Sequence, residues 1–162
     1  MIRIEPFTFS DNKLKSVIIP DSVVEIGGCA FQNNNLTSIN LGSNLKIIGP
    51  WAFSKNKLES VTTPDSVIEI NDGVFSNNNL KSIKLGSNLK RIGTWAFNEN
   101  QLELATVPDS VTEIDEFAFN SNNLKSIKLG SNLKRIGDFA FSDNKLESVI
   151  VPDSVTDLRD RK

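Results

Sequence analysis

Histidine and tyrosine are absent from the 162 residues, and cysteine occurs once, at Cys29. Losing histidine removes the commonest general base and the commonest metal ligand together. One cysteine excludes an internal disulfide and leaves the redox compartment open. Basic charge is not in excess either: 18 Lys and Arg face 20 Asp and Glu, for a net charge of −2. Nucleic-acid binding driven by phosphate neutralisation is therefore not expected. Long apolar runs are missing too. The longest are of the size of Val17-Ile18-Ile19 and Val149-Ile150-Val151, far below the ~18 residues a membrane span needs, so membrane insertion is not expected. Met1 to Pro6 carry Arg3 and Glu5 and hold no apolar stretch of the kind a secretion signal uses.

What is present is repetition. Phenylalanine recurs at Phe9, Phe31, Phe53, Phe75, Phe97, Phe119 and Phe141, a step of 22 residues without insertion. Asparagine keeps the same step from Asn12 to Asn144, and leucine from Leu14 to Leu146. If the unit is numbered from Pro20 to Leu41, apolar side chains fall at unit positions 4, 7, 11, 12, 17, 20 and 22. Twenty-two residues enclose no interior, so such a set is buried only when copies stack. The expectation is one domain, residues 1–162, folded as a leucine-rich-repeat solenoid: a right-handed parallel β superhelix of about seven coils, with short turns or single helical turns on the other side. Segments such as LESVIV and LKSIKL are β-branched and end at Pro or Gly, which places the main parallel sheet at unit positions 19 to 22. A second, short extended piece is expected at positions 4 to 7, and a turn or one helical turn at positions 9 to 14. A competing frame, Ile136-x-x-Phe139-x-Phe141-x-x-Asn144-x-Leu146, would put the strand on Phe-Ala-Phe, where the β preference is weaker.

The segments LESVIVPDSVTDL, LTSINLGSNLKIIGPWAF and LKSIKLGSNLKRIGDFAF resemble the BspA-like leucine-rich repeats, and the resemblance covers the whole chain. It implies a protein of bacterial surfaces or of some microbial eukaryotes, associated with adhesion and protein binding. Asparagine stands where many members of that family have cysteine, so cysteine-dependent behaviour does not carry over. Asp72-Gly73-Val74 and Leu104-Ala105 depart from the pattern and mark coils expected to be looser or altered.

The units alternate in kind. Pro-Asp-Ser-Val opens those at Pro20, Pro64, Pro108 and Pro152, and Gly-Ser-Asn-Leu those at Gly42, Gly86 and Gly130, so the true period is 44 residues. Unit position 6 reads Arg3, Glu25, Ile47, Glu69, Arg91, Glu113, Arg135 and Asp157. Strands ~4.8 Å apart would repel if one charge ran down a column; alternation turns the column into opposite pairs, each worth ~0.2–1 kcal/mol.

No catalytic constellation, metal motif or cofactor motif is present, and the chain is read as a non-catalytic module. Cys29 shares unit position 10 with aromatic residues and reads as a small apolar residue. Asp21, Asp65, Asp109 and Asp153 read as turn formers, and the asparagine column as a partner for backbone groups of neighbouring coils. Two columns are candidate partner sites. One is the outward side of positions 19 and 21: Ser38, Asn40, Ser60, Thr62, Ser82, Lys84, Thr106, Ser126 and Lys128. The other is position 10, with Trp51, Trp95, Phe117 and Phe139. Such a stripe either packs on itself or receives a partner, a protein or a glycan. A self-associating structural unit is the alternative function, and a glycan-acting enzyme a weaker one that would need a carboxylate pair beside the stripe. The first coil, holding Phe9, Leu14, Val17 and Ile19 with few charges, is expected to mediate homo-oligomer contacts or to fray. Arg159-Asp160-Arg161-Lys162 reads as a partial cap at the other end.

Overall fold

The computed structural model describes residues 2–158; the charged cap read at residues 159–162 lies outside them. Six complete 22-residue units, from Pro20 to Val151, stack between two partial ones. The architecture is a parallel β-solenoid whose described residues form no helix. The positions chosen for burial are the core: Val67, Ile70, Val74, Phe75 and Leu80 are fully buried, as are their equivalents in neighbouring coils. The phenylalanines form one column, each ring stacked on the next at centroid distances of 5.2 to 5.9 Å, with Phe75 and Phe97 at 5.5 Å. Apolar residues at the first coil stay more open, with Phe9 at 42% exposure.

The two sets of strands exchange the roles assigned to them from sequence. The continuous sheet is built at unit positions 4 to 7: β1 (Ile2–Ile4), β3 (Val23–Ile26), β5 (Ile47–Ile48), β7 (Glu69–Ile70), β9 (Arg91–Ile92), β11 (Glu113–Ile114), β13 (Arg135–Ile136) and β14 (Asp157–Leu158) follow one another in parallel. The strands at positions 19 to 21 form only pairs: β2 (Ser16–Ile18) with β4 (Ser38–Asn40), β6 (Ser60–Thr62) with β8 (Ser82–Lys84), and β10 (Leu104–Thr106) with β12 (Ser126–Lys128). No backbone ladder joins β4 to β6 or β8 to β10.

The reason is the alternating first residue. Gly42, Gly86 and Gly130 lie so close to the preceding coil that an added Cβ would sit 2.4 to 2.5 Å from the carbonyl oxygens of Pro20, Pro64 and Pro108. Only the missing side chain permits that approach. The backbone N–H of Gly86 points back one coil, donating to the Thr63 hydroxyl at 2.9 Å. Proline at the same place in the alternate coil puts a ring where that approach needs no side chain, and that junction stays open. Each closed junction is tied further by Asp21, Asp65 and Asp109. Their carboxylates accept the N–H of Ser43, Ser87 and Ser131 at 2.8 to 2.9 Å, and their carbonyls accept Asn44, Asn88 and Asn132. These aspartates are turn residues, as expected, and they also clamp coil to coil.

The corner after the turn is held by the asparagine column. In a central coil, Asn78 Oδ1 accepts the N–H of Leu58 at 3.0 Å, while Nδ2 donates to the carbonyls of Phe53 at 3.0 Å and Phe75 at 3.1 Å. Asn34, Asn56, Asn100 and Asn122 repeat the arrangement. At unit position 6 the charge ladder forms, pairing Arg3 with Glu25 at 3.5 Å, Arg91 with Glu69 at 3.8 Å and Arg135 with Glu113 at 3.9 Å.

Candidate functional site

Unit position 10 is set by backbone before side chain. The N–H of position 11 bonds back to the carbonyl of position 8 in each turn, as in Ala96 to Gly93 and Ala118 to Asp115. Such a turn requires a positive φ at its third residue. Phe7, Cys29, Trp51, Trp95, Phe117 and Phe139 accordingly lie at φ of 57 to 62°, with Gly73 at 65°. For bulky residues this region is unusual. It persists because the turn is stitched to its neighbours on both sides: the N–H groups of Trp95, Phe97 and Glu99 donate to the carbonyls of Glu116, Ala118 and Asn120 in the next coil. The competing strand frame over Phe-Ala-Phe is not adopted.

This geometry points the position-10 side chains outward in file. Trp95 stacks towards Phe117 at 6.0 Å between centroids, and Phe117 on Phe139 at 5.0 Å. Trp51 reaches Trp95 at 5.9 Å although a whole coil lies between them. Gly73 makes that possible, since a Cβ there would sit 2.2 Å from the Trp51 ring. The departure at Asp72-Gly73-Val74 therefore does not loosen the coil: Trp51 fills the space, and Val74 is fully buried. Leu104-Ala105 is likewise altered without loosening, with Leu104 turned out at 65% exposure and Ala105 in the core. The result is an unbroken aromatic ridge over five coils. Trp95 remains 40% and Phe139 49% exposed, with Trp51 and Phe117 half-buried. Cys29, one coil before, is half-buried, and burial pushes its thiol pKa up, with the charge of Asp11 acting in the same direction. It stays a protonated thiol.

The second set of candidates occupies a different surface. Ser38, Asn40, Ser60, Thr62, Ser82, Lys84, Thr106, Ser126 and Lys128 are all exposed on the paired strands. The open junctions between pairs form shallow clefts there. One of about 300 Å³ has Asn40, Ser60 and Thr62 on its walls; one of about 370 Å³ has Ser126, Lys128 and Ile150. Ridge and clefts are separate surfaces.

Sequence reasoning missed one cluster. Asp115 is buried at unit position 8, where Gly27, Gly49, Gly93 and Gly137 stand in other coils. Its carboxylate takes Arg91 from one side, with Nη2 at 2.6 Å and Nε at 2.8 Å, and Arg135 from the other. Arg91 also reaches Asp72 at 3.4 Å. Burial alone would lower the Arg91 pKa, but the neighbouring carboxylates, Asp115 first, raise it. An acid breaking a glycine column between two position-6 arginines was the available signal. The three side chains bolt successive coils together.

The pattern of the BspA type leucine rich repeat region matches this sequence in six copies, over residues 2–107 and 52–161. The chain belongs to that family. Solved structures of other bacterial proteins share the fold. A leucine-rich repeat protein from Bacteroides ovatus is 29% identical with a TM-score of 0.66, over 90% of this chain and 50% of that one. The pneumococcal vaccine antigen PcpA is 24% identical with a TM-score of 0.61, over 88% and 52%. A leucine rich cell surface protein from Faecalibacterium prausnitzii is 24% identical with a TM-score of 0.56, over 96% and 60%. The chain thus spans about half the length of these relatives. Among curated proteins there is no sequence match. Family and structural neighbours agree in being leucine-rich repeats.

Proposed function

We propose that this BspA-type repeat region is a non-catalytic, surface-displayed module that binds a protein partner along the aromatic ridge. The observation that carries it is the partial exposure of an unbroken file of rings in contact, Trp51, Trp95, Phe117 and Phe139. Packing alone gives a thin account of these residues. A side chain in the left-handed region costs ~1–2 kcal/mol, and an aromatic pair returns ~0.5–1.5 kcal/mol beyond its buried area. Burial of the inner part of each ring adds to that return, so packing accounts for the inner halves and leaves the water-facing parts of Trp95 and Phe139 without a role. Large aromatic side chains left half in water are the residue type that anchors protein interfaces. The ring geometry favours a protein over a glycan: sugar stacking needs free ring faces, and Phe117 and Phe139 are stacked on each other, with Trp51 and Trp95 in tilted contact along the file. The surface setting is supported by the family and by the description of the Faecalibacterium relative as a cell surface protein.

The test is a Trp95→Ser/Phe117→Ser double variant. Partner capture from an array of surface and host proteins should be lost while the far-UV signal and unfolding midpoint stay within a few degrees of wild type. A double variant that unfolds early yet binds with unchanged affinity while folded would make the ridge core and refute the proposal.

A further inference from the structure

The near-neutral net charge conceals a segregation. Among the described residues, unit positions 9 to 14, the turn segments that carry the ridge, hold Asp11, Asp72, Glu99, Glu116, Asp138 and Asp143 and one base, Lys55. Carboxylates on the long sheet are neutralised within the fold, Glu25, Glu69, Glu113 and Asp115 each meeting an arginine. Three of those in the turn segments are not. Glu99, Glu116 and Asp143 are exposed and meet no lysine or arginine among the described residues. Glu116 lies directly alongside the ridge, its carbonyl accepting the Trp95 N–H at 3.1 Å. Glu99 follows the turn from Trp95 to Asn98, and Asp143 the turn from Phe139 to Ser142.

Building on the ridge reading, we infer that the partner is a cationic segment, an extended stretch in which lysine or arginine recurs among apolar residues. The chemistry divides between two kinds of group. The exposed ring surfaces offer apolar contact to leucine-like side chains and to the methylene stems of long basic side chains, whose charged heads reach outward to the carboxylates. Opposed potentials then set orientation and association rate. The dimensions agree. Four coil steps from Trp51 to Phe139 are roughly 19 Å at ~4.8 Å per step, the length of about six extended residues at ~3.3 Å each. Glu99 and Asp143 are two coils apart, roughly 10 Å, close to one three-residue turn of a polyproline II segment at ~3.1 Å per residue, in which every third side chain lies on the same face.

The molecule carries its own reporter. Trp51 and Trp95 are its two tryptophans, both in the ridge, and tyrosine is absent. The whole chain is titrated with two synthetic nonapeptides, Lys-Leu-Ser repeated three times and Glu-Leu-Ser repeated three times, and tryptophan emission is followed. The lysine peptide should give a saturable change, bind about tenfold tighter than the glutamate peptide, and weaken steeply as salt is raised. A Glu99→Gln/Glu116→Gln/Asp143→Asn variant with unaltered unfolding should lose about that tenfold preference. Equal binding of both peptides, or full affinity in the triple variant, overturns the inference. If the glutamate peptide binds and Trp95→Ser/Phe117→Ser abolishes that binding, the charge assignment alone is wrong and the ridge stands. If neither peptide moves the emission, or the double variant binds the lysine peptide like wild type, the ridge falls with it.

Discussion

Replacing Asn78 with alanine tests the corner that every coil repeats. Its side chain is 6% exposed and serves three backbone groups: the N–H of Leu58 at 3.0 Å and the carbonyls of Phe53 and Phe75 at 3.0 and 3.1 Å. Leu58 is fully buried, so its N–H would lose its partner away from water, at ~1–3 kcal/mol. Each carbonyl forfeits a bond of ~0.5–1.5 kcal/mol net. Together these come to about 3–4 kcal/mol, and at ~2–4 °C per kcal/mol for a chain of this size the midpoint should fall by roughly 10 °C. Thermal and urea unfolding followed by far-UV circular dichroism measure it, with Ser82→Ala on the exposed strand surface as the control, expected to move stability by less than ~0.5 kcal/mol. Asn78→Asp separates the two halves of the side chain. It keeps the acceptor for Leu58 but presents a second oxygen to two carbonyls, so it should be at least as damaging at neutral pH and recover as the carboxylate protonates. An Asn78→Ala loss below about 1 kcal/mol, inside the error of a single hydrogen bond, would refute the claim that the column carries the corner.

Gly73→Ala should cost about 2–3 kcal/mol, because the new Cβ takes a positive φ of 65° and meets the Trp51 ring; near-UV circular dichroism should lose the Trp51–Trp95 signal, and an unchanged spectrum would remove Gly73 from the ridge. The carboxylates of Asp21, Asp65 and Asp109 are held below the usual range by the backbone N–H, then the hydroxyl, of Ser43, Ser87 and Ser131. A depressed native pKa contributes stability that is present above the unfolded value of about 3.9 and is lost as pH falls through the native one. Unfolding midpoints should therefore drop below about pH 4, and Asp65→Asn should make that drop shallower; an identical acid limb in the variant would show that the clamp contributes nothing.

The 22-residue columns determine the solenoid, its core and its polar corner. They can do so because each coil packs only on its neighbours, so a side chain's surroundings are its own repeat seen twice. Phe75, Leu80 and Asn78 are buried where the columns put them, and the alternation of Arg and Glu at unit position 6 predicts the ladder that forms. Tertiary spacing decided the rest. Residue preference favours the β-branched segments at positions 19 to 22, yet the unbroken sheet runs through positions 4 to 7. Pairing depends on how closely backbones approach, and a ring at proline against a missing Cβ at glycine opens one junction and closes the next. The reach of Trp51 across Gly73, and the arginines converging on Asp115, are set in the same way by distances between coils. A column of letters records which residue recurs; it does not record the gap that residue leaves for the coil beside it.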